Sequence, residues 1–399
     1  MANQKMIALG ENRSVIRDLF EYGLTMKKEV GEDKVFDFSI GNPSIPAPKK
    51  VNETLIELIN TVESTSLHGY SSAPGDMRVR TVIAENINRR FGRNQTPGDI
   101  YMTCGAAASL TISLNALLNE GDEVIVFAPF VPEYRVFIEK AGGHVVVVGA
   151  REEDFGPDLA AFADAINEKT AAVIINSPNN PSGAVISHGD MAKLTAILEE
   201  KQKQLCKDIF IIADEPYREL VYGDTEVPYI MNYYANTIVC YSYSKSLSLP
   251  GERIGYIAVC HEMADRDKVF AAVCGAGRAL GFVCAPVLFQ KLLLACHDQV
   301  ADVSAYAENR DLLLSGLEAL GYSCVRPQGA FYLFIKAPGG DDGAFCEQAK
   351  KHGLLLVPSA SFGLPGYMRI AYCVAKDTIE RSMPAFKKLA LECGLTPKN

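Results

Sequence analysis

The chain has 399 residues, of which 48% are hydrophobic and 22% charged. That length holds roughly two to three domains' worth of material with ample buried core, and the composition is that of a globular protein rather than a disordered or fibrous one. Thirty-nine basic against forty-eight acidic residues leave a net charge of −9. This excludes a general electrostatic affinity for nucleic acid or an anionic membrane, so any bound anion must be met by a local arrangement of basic residues and backbone amides.

The opening stretch, MANQKMIALGENRS, carries no apolar run of signal-peptide length. No segment approaches the run of about eighteen apolar residues that a membrane helix requires. Eleven cysteines are scattered singly with no CxxC pair, which reads as a reduced, cytoplasmic protein using them as small core residues. The six histidines show neither HxxxH nor HExxH spacing, so no metal site is expected.

In chain order, DIYMT (99 to 103) reads as a short strand, and TCGAAASL (103 to 110) opens a helix running to about residue 119. VIVFAPF (124 to 130), HVVVVG (144 to 149), AAVIIN (171 to 176), IFIIAD (209 to 214), TIVCYS (237 to 242) and IGYIAVC (254 to 260) read as strands buried on both faces. A helix is expected over 188 to 203, where apolar residues fall three and four apart. Such alternation argues for an α/β domain with a largely parallel sheet. Beyond about residue 280 the pattern changes to long helices (283 to 297 and 299 to 320) and short strands near 322 to 336 and 367 to 373, a second and smaller α+β domain. The first forty residues are compatible with either.

In open α/β sheets, ligands collect beyond the carboxyl ends of the strands. Here AAVIIN runs into SPNNPSG, IFIIAD into EPYREL, and TIVCYS into YSKSLSLPGERIG. Each has an ordinary explanation alone: a turn at Asn179-Asn180-Pro181, an N-cap at Asp214, a solvated Lys245. At successive strand ends and in this order they argue for a site.

Asn180-Pro181-Ser182-Gly183, Asp214-Glu215-Pro216-Tyr217, Ser242-Tyr243-Ser244-Lys245, and Arg253 eight residues past the lysine together resemble the fold-type I pyridoxal-phosphate aminotransferases of class I/II. The resemblance spans almost the whole chain, from Gly41-Asn42-Pro43 to Arg369. It implies a mostly parallel, seven-stranded sheet flanked by helices, with a large cofactor domain over 45 to 280 and a small α+β domain from 1 to 44 and 281 to 399. It also implies pyridoxal 5′-phosphate as cofactor, amino-acid and 2-oxo-acid substrates, and a homodimer with shared active sites.

The roles follow residue by residue. Lys245 is implied to bond the cofactor aldehyde and later to shuttle a proton, a task suited to a partly desolvated lysine near other cations. Asp214 would keep the pyridine nitrogen protonated, so that the ring serves as an electron sink. Asn180 and Tyr217 would donate to the 3′-oxygen, and Phe130 would stack on the ring. The phosphate would lie at the helix start formed by Gly105, Ala106 and Ala107, completed by Ser242 and Arg253 and reached by Tyr70 from a neighbouring subunit. Arg369 would fix the substrate carboxylate, helped by Asn180 and the backbone at Ile40 and Gly41. Phe331 and Tyr332 belong either to a mobile closing domain or to ordinary core packing.

Substrate choice is less legible. One subgroup places a lysine for a distal carboxylate where this chain has Ala107. Another uses a partner's arginine, near Arg278 ahead of Pro286 but one position out of register. Many relatives carry tryptophan where this chain has Glu252. Aspartate or glutamate serves one half-reaction in one reading; an aromatic, alanine-like or branched-chain donor is equally open. Two alternatives share the fold: a C–S β-lyase of the cystathionine type, and a non-enzymatic ligand sensor. The sensor would require a basic DNA-binding domain, for which a pattern beginning near residue 40 leaves no room.

Overall fold

The apolar runs of the middle of the chain assemble one sheet. In the computed structural model, which describes residues 2–11 and 14–397, the strands in chain order are β1 (Phe36–Asp37), β2 (Ile100–Thr103), β3 (Glu123–Phe127), β4 (His144–Val148), β5 (Thr170–Asn176), β6 (Phe210–Asp214), β7 (Thr237–Ser242), β8 (Gly255–Val259), β9 (Tyr332–Lys336), β10 (Leu354–Leu355), β11 (Val357–Pro358) and β12 (Tyr367–Ala371). Seven of them form the central sheet in the order β2-β8-β7-β6-β5-β3-β4. Its neighbours run parallel except at β8, which is antiparallel to both β2 and β7.

Burial follows position in the sheet. Every residue of β5, β7 and β8 is buried, as is β6 apart from half-buried Phe210. Central parallel strands covered on both faces can be apolar throughout, and the β-branched content of these runs suits that environment. β4 departs from the expectation. HVVVV reads like the others, yet it is the last strand of the sheet, only Val148 is buried, and Val147 is 40% exposed. Edge position alone does not set this, since β2, at the opposite edge, is buried throughout.

The helix expected over 188 to 203 is His188–Leu205, capped by the Ser187 side chain and burying Met191, Leu194, Thr195 and Leu198 at spacings of three and four. A second core gathers Phe38, Leu313, Phe331, Ile370 and Phe386. It is built on the three-stranded antiparallel sheet β11-β12-β9 and on β1 paired parallel to β10, with helices Ser304–Ala319, Asp342–Lys350 and Lys376–Glu392. Of the range expected to hold short strands, 322 to 336, β9 fills the end, and a single bridge joins Cys324 to Ile335.

Apolar packing does not break at residue 280. Helix Val287–Cys296 buries Leu292, Leu293 and Cys296 in the cluster of the central sheet. In the other direction, Tyr217, Leu220 and Tyr222, which follow β6, join the second core. The segment after β6 therefore leaves the main sheet and packs with β9 and β12, which brings the second core over the carboxyl ends of β5, β6 and β7.

Candidate active site

Asp214 closes β6, paired in register with Asn176 at the end of β5. Its carboxylate is buried, and Tyr134 Oη donates to Oδ2 at 2.5 Å. Oδ1 is buried with no partner. Burial pushes the carboxyl up to about 6, against the opposing pull of the Tyr134 hydrogen bond. Near neutrality the group is still mostly ionised, so the sheet holds an anion with one oxygen unsatisfied. Asn176 braces the floor: its Nδ2 donates to the main-chain oxygen of Asp214 at 2.9 Å, and its Oδ1 accepts from the Asn180 amide at 2.7 Å.

Lys245 lies in the turn of helix Tyr243–Ser246, directly after β7. Its Nζ donates to the Gly41 carbonyl at 2.7 Å and lies 5.2 Å from the centre of the Phe331 ring. Burial lowers the amine to about 8; the nearby Cys373 thiol opposes this, and the Arg253 and Arg369 cations reinforce it. A lysine so placed supplies neutral amine at physiological pH, which an exposed lysine does not.

An anion cup sits at the start of helix Ala106–Leu117. Gly105 caps it at φ +89°, and a Cβ there would lie 2.9 Å from Arg253 Nη2, so glycine is what lets the guanidinium approach the helix end. Arg253 itself adopts a left-handed backbone at φ +50° and is held by Nη1 donating to Pro250 O at 2.8 Å. Ser242 Oγ accepts from the Ser244 amide at 3.2 Å, and the two hydroxyls are 2.7 Å apart. Amides at a helix N-terminus, a guanidinium and hydroxyls form a binding set for a phosphate.

Arg369, on β12, is only 2% exposed. Nη1 donates to Asn180 Oδ1 at 3.1 Å, Nη2 donates to the Ser39 carbonyl, and Nε has no partner. The guanidinium lies 4.7 Å from the ring centre of Tyr332 and 5.3 Å from that of Phe362. Tyr332 Oη in turn is 3.0 Å from Tyr217 Oη. Residue 41 is glycine because a Cβ there would overlap the Tyr332 hydroxyl. Burial raises the Tyr217 phenol well above its ordinary value, so it remains protonated.

Asp214, Asn180, Arg369, Tyr217, Lys245 and Gly41 thus belong to one connected set of contacts, with Gly105, Ser242 and Arg253 beside it. Ala106 is half-buried and Ala107 exposed at the helix start. Phe130 is 2% exposed, borders a partly open pocket with Phe127, Tyr134 and Phe155, and has the Arg135 guanidinium 5.3 Å from its ring centre. Tyr70 is 92% exposed, away from its own chain's cup, and Arg278 is exposed near the end of helix Arg266–Ala279.

The sequence reading missed Tyr134 and Asn176, which hold Asp214, and the hydroxyl partnership of Ser244. The Ser-Tyr-Ser-Lys spacing carried a signal for Ser244; the Tyr134 contact crosses eighty positions of chain and carried none. It also missed a buried pair behind the site. Arg218 Nη1 is 3.1 Å from Glu215 Oε2, Nη2 donates to Tyr256 Oη at 3.0 Å, and burial pushes Glu215 up to about 7.

The family model for aminotransferase class I and II matches residues 33–386. An aspartate aminotransferase of Thermotoga maritima is 32% identical over 358 residues, covering 88% of this chain and 90% of that one. The crystal structure of an amino transferase from Eubacterium rectale is 53% identical, with a TM-score of 0.96 over 98% of this chain and 99% of that one. Aspartate aminotransferase from Thermus thermophilus with maleate is 25% identical, with a TM-score of 0.87 over the same shares. With a family match over most of its length and the strand-end residues gathered as described, the chain belongs to the aminotransferase class I and II family.

Proposed function

We propose that the residues at the strand ends hold pyridoxal 5′-phosphate and that the protein uses it to move an amino group from an L-amino acid to a 2-oxo acid. The observation that carries this reading is Asp214. An ionisable carboxyl buried with one oxygen unpartnered suits a protonated ring nitrogen, and an apolar core has no use for it. The rest of the set fits the same molecule. Lys245 supplies the amine that bonds its aldehyde carbon. Asn180, whose Oδ1 is taken by Arg369, keeps Nδ2 to donate to the ring oxygen beside Tyr217. The amides of Gly105, Ala106 and Ala107, with Ser242 and Arg253, receive the phosphate.

When bound, the cofactor's ring draws electron density from the substrate's α-carbon and makes the α-proton removable. The chain does the remainder. Arg369 fixes the α-carboxylate through a guanidinium that Tyr332 and Phe362 keep in place, which orients the α-carbon. Lys245 takes the α-proton, and an amine near 8 is suited to both accepting and returning it. Closure of the second core over the strand ends would exclude water. The aspartate named for two of the similar proteins is one donor to be expected here, with 2-oxoglutarate as acceptor. Ala107 offers no cation to a second carboxylate, so neutral donors stand beside it.

We further infer a homodimer. Ile56, Ile59, Tyr70, Met77 and Val283 are large apolar or aromatic side chains left more than half exposed, with Val283 at 60%. They lie on or beside helices that pack on one another, Lys49–Thr61, Ser64–His68, Met77–Phe91 and Val287–Cys296. A patch of this kind is expected to be covered, and a second copy would bring Tyr70 to the partner's phosphate cup. The eleven cysteines, scattered singly along the sequence with no CxxC pair, support a reducing, cytoplasmic location.

Three measurements test these readings. Lys245→Ala should abolish the cofactor's visible absorbance band and its reducibility by borohydride, and should lower turnover in an amino-donor screen by about 10³-fold or more; survival of both optical signals would remove Lys245 from its role. In cofactor-free protein, the rate of covalent cofactor uptake should climb with pH and level off above about 8. The sign follows from the depressed amine: it is protonated and unreactive below that value and neutral above it, so a rate still climbing toward pH 10 would contradict the burial argument. Sedimentation equilibrium should give the mass of two chains, and Tyr70→Ala should weaken phosphate-dependent cofactor retention; a single-chain mass with full activity would refute the shared site.

A further inference from the structure

Tyr332 is the first residue of β9, opposite Ala371 in β12, and it is buried. Its hydroxyl is 3.0 Å from that of Tyr217. Its ring is the surface on which the Arg369 guanidinium lies, 4.7 Å from the centre. The same hydroxyl fills the space that a side chain at residue 41 would need, beneath the backbone whose carbonyl receives Lys245 Nζ. One side chain therefore touches the residue that faces the cofactor's ring oxygen, the residue that anchors the substrate, and the backbone that receives the reactive amine.

The geometry points to Tyr332 as a positioning residue that sets the hydrogen-bond donation of Tyr217 and the placement of Arg369 together. This rests on the functional reading above, in which Tyr217 donates to the cofactor. The direction of the hydroxyl pair follows from counting protons. Each phenol has one to give. If Tyr217 gives its proton to the ring oxygen, the proton between the two tyrosines comes from Tyr332. Donation into the Tyr217 oxygen polarises that phenol and strengthens its own outgoing bond.

The charged and titratable groups around the pair are consistent with two protonated phenols. Tyr332 faces Arg369, Cys373, Glu133 and Tyr217, and Tyr217 faces Arg369 and Asp214. Burial is the largest influence on both and favours the neutral form, while Arg369 opposes it. The hydroxyl and the ring of Tyr332 do separate work, so two substitutions separate them.

Tyr332→Phe in the holoenzyme keeps the ring and removes the donor. The pH midpoint of the cofactor's visible absorbance change should rise by about 0.5 to 1 unit, because a weakened Tyr217 leaves more charge on the ring oxygen to hold the proton. KM for the best donor of the screen should stay within about twofold of its starting value. In a Tyr217→Phe background the same substitution should move the midpoint no further, since its effect passes through Tyr217. Tyr332→Leu removes the ring as well and should raise that KM about tenfold, as Arg369 loses its support. An unmoved midpoint in Tyr332→Phe, an equal shift with and without Tyr217, or the same KM in both variants would overturn the assignment. A parent enzyme with no titrating visible band would instead refute the functional reading on which the assignment rests.

Discussion

The site is organised around one unsatisfied charge. Asp214 stands at the end of a central strand, in a sheet whose β5, β6 and β7 are buried almost throughout, where an ionised carboxyl is costly. Tyr134 satisfies one oxygen and Asn176 braces the backbone, but Oδ1 is left with nothing. An arrangement like this offsets its cost only when a donor arrives from outside the chain. The net charge of −9 is no obstacle, because the basic residues that matter, Lys245, Arg253 and Arg369, are placed locally.

Polar contacts also tie the two cores together. Lys245, from the main sheet, donates to Gly41; Asn180, from the loop after β5, accepts from Arg369 on β12; Tyr217 meets Tyr332 on β9. The Lys245 link to Gly41 is a single polar contact that a ligand can replace with one of its own. Behind them, Tyr217, Leu220 and Tyr222 anchor the strand-end segment permanently in the second core.

Much of this was legible in the sequence because its signals are local. Buried parallel strands write themselves as apolar runs, and the polar residues that end them, Asn180, Asp214, Tyr217 and Lys245, are read directly, with Arg369 brought to Asn180 from β12. What could not be read depends on the third dimension. HVVVV gives no sign that β4 is the last strand of the sheet. The run APFVPEY contains three candidate aromatic or charged contacts, and only the backbone path turns Phe130 into the core while sending Tyr134 to Asp214. Helix Val287–Cys296 packs with the main sheet although the change of pattern precedes it. Tyr70 is left 92% exposed, a placement that its sequence neighbourhood does not record.

The unpartnered oxygen of Asp214 is where the site is tested most directly. Asp214→Asn preserves the size of the side chain and most of its hydrogen bonding while removing the charge that would hold a proton on a ring nitrogen. Single-turnover rates with the best amino donor should fall by about 10³-fold or more, with the cofactor still attached through Lys245 and reducible by borohydride. A rate within about tenfold of the parent enzyme would show that the buried carboxylate is not what the site is built to exploit.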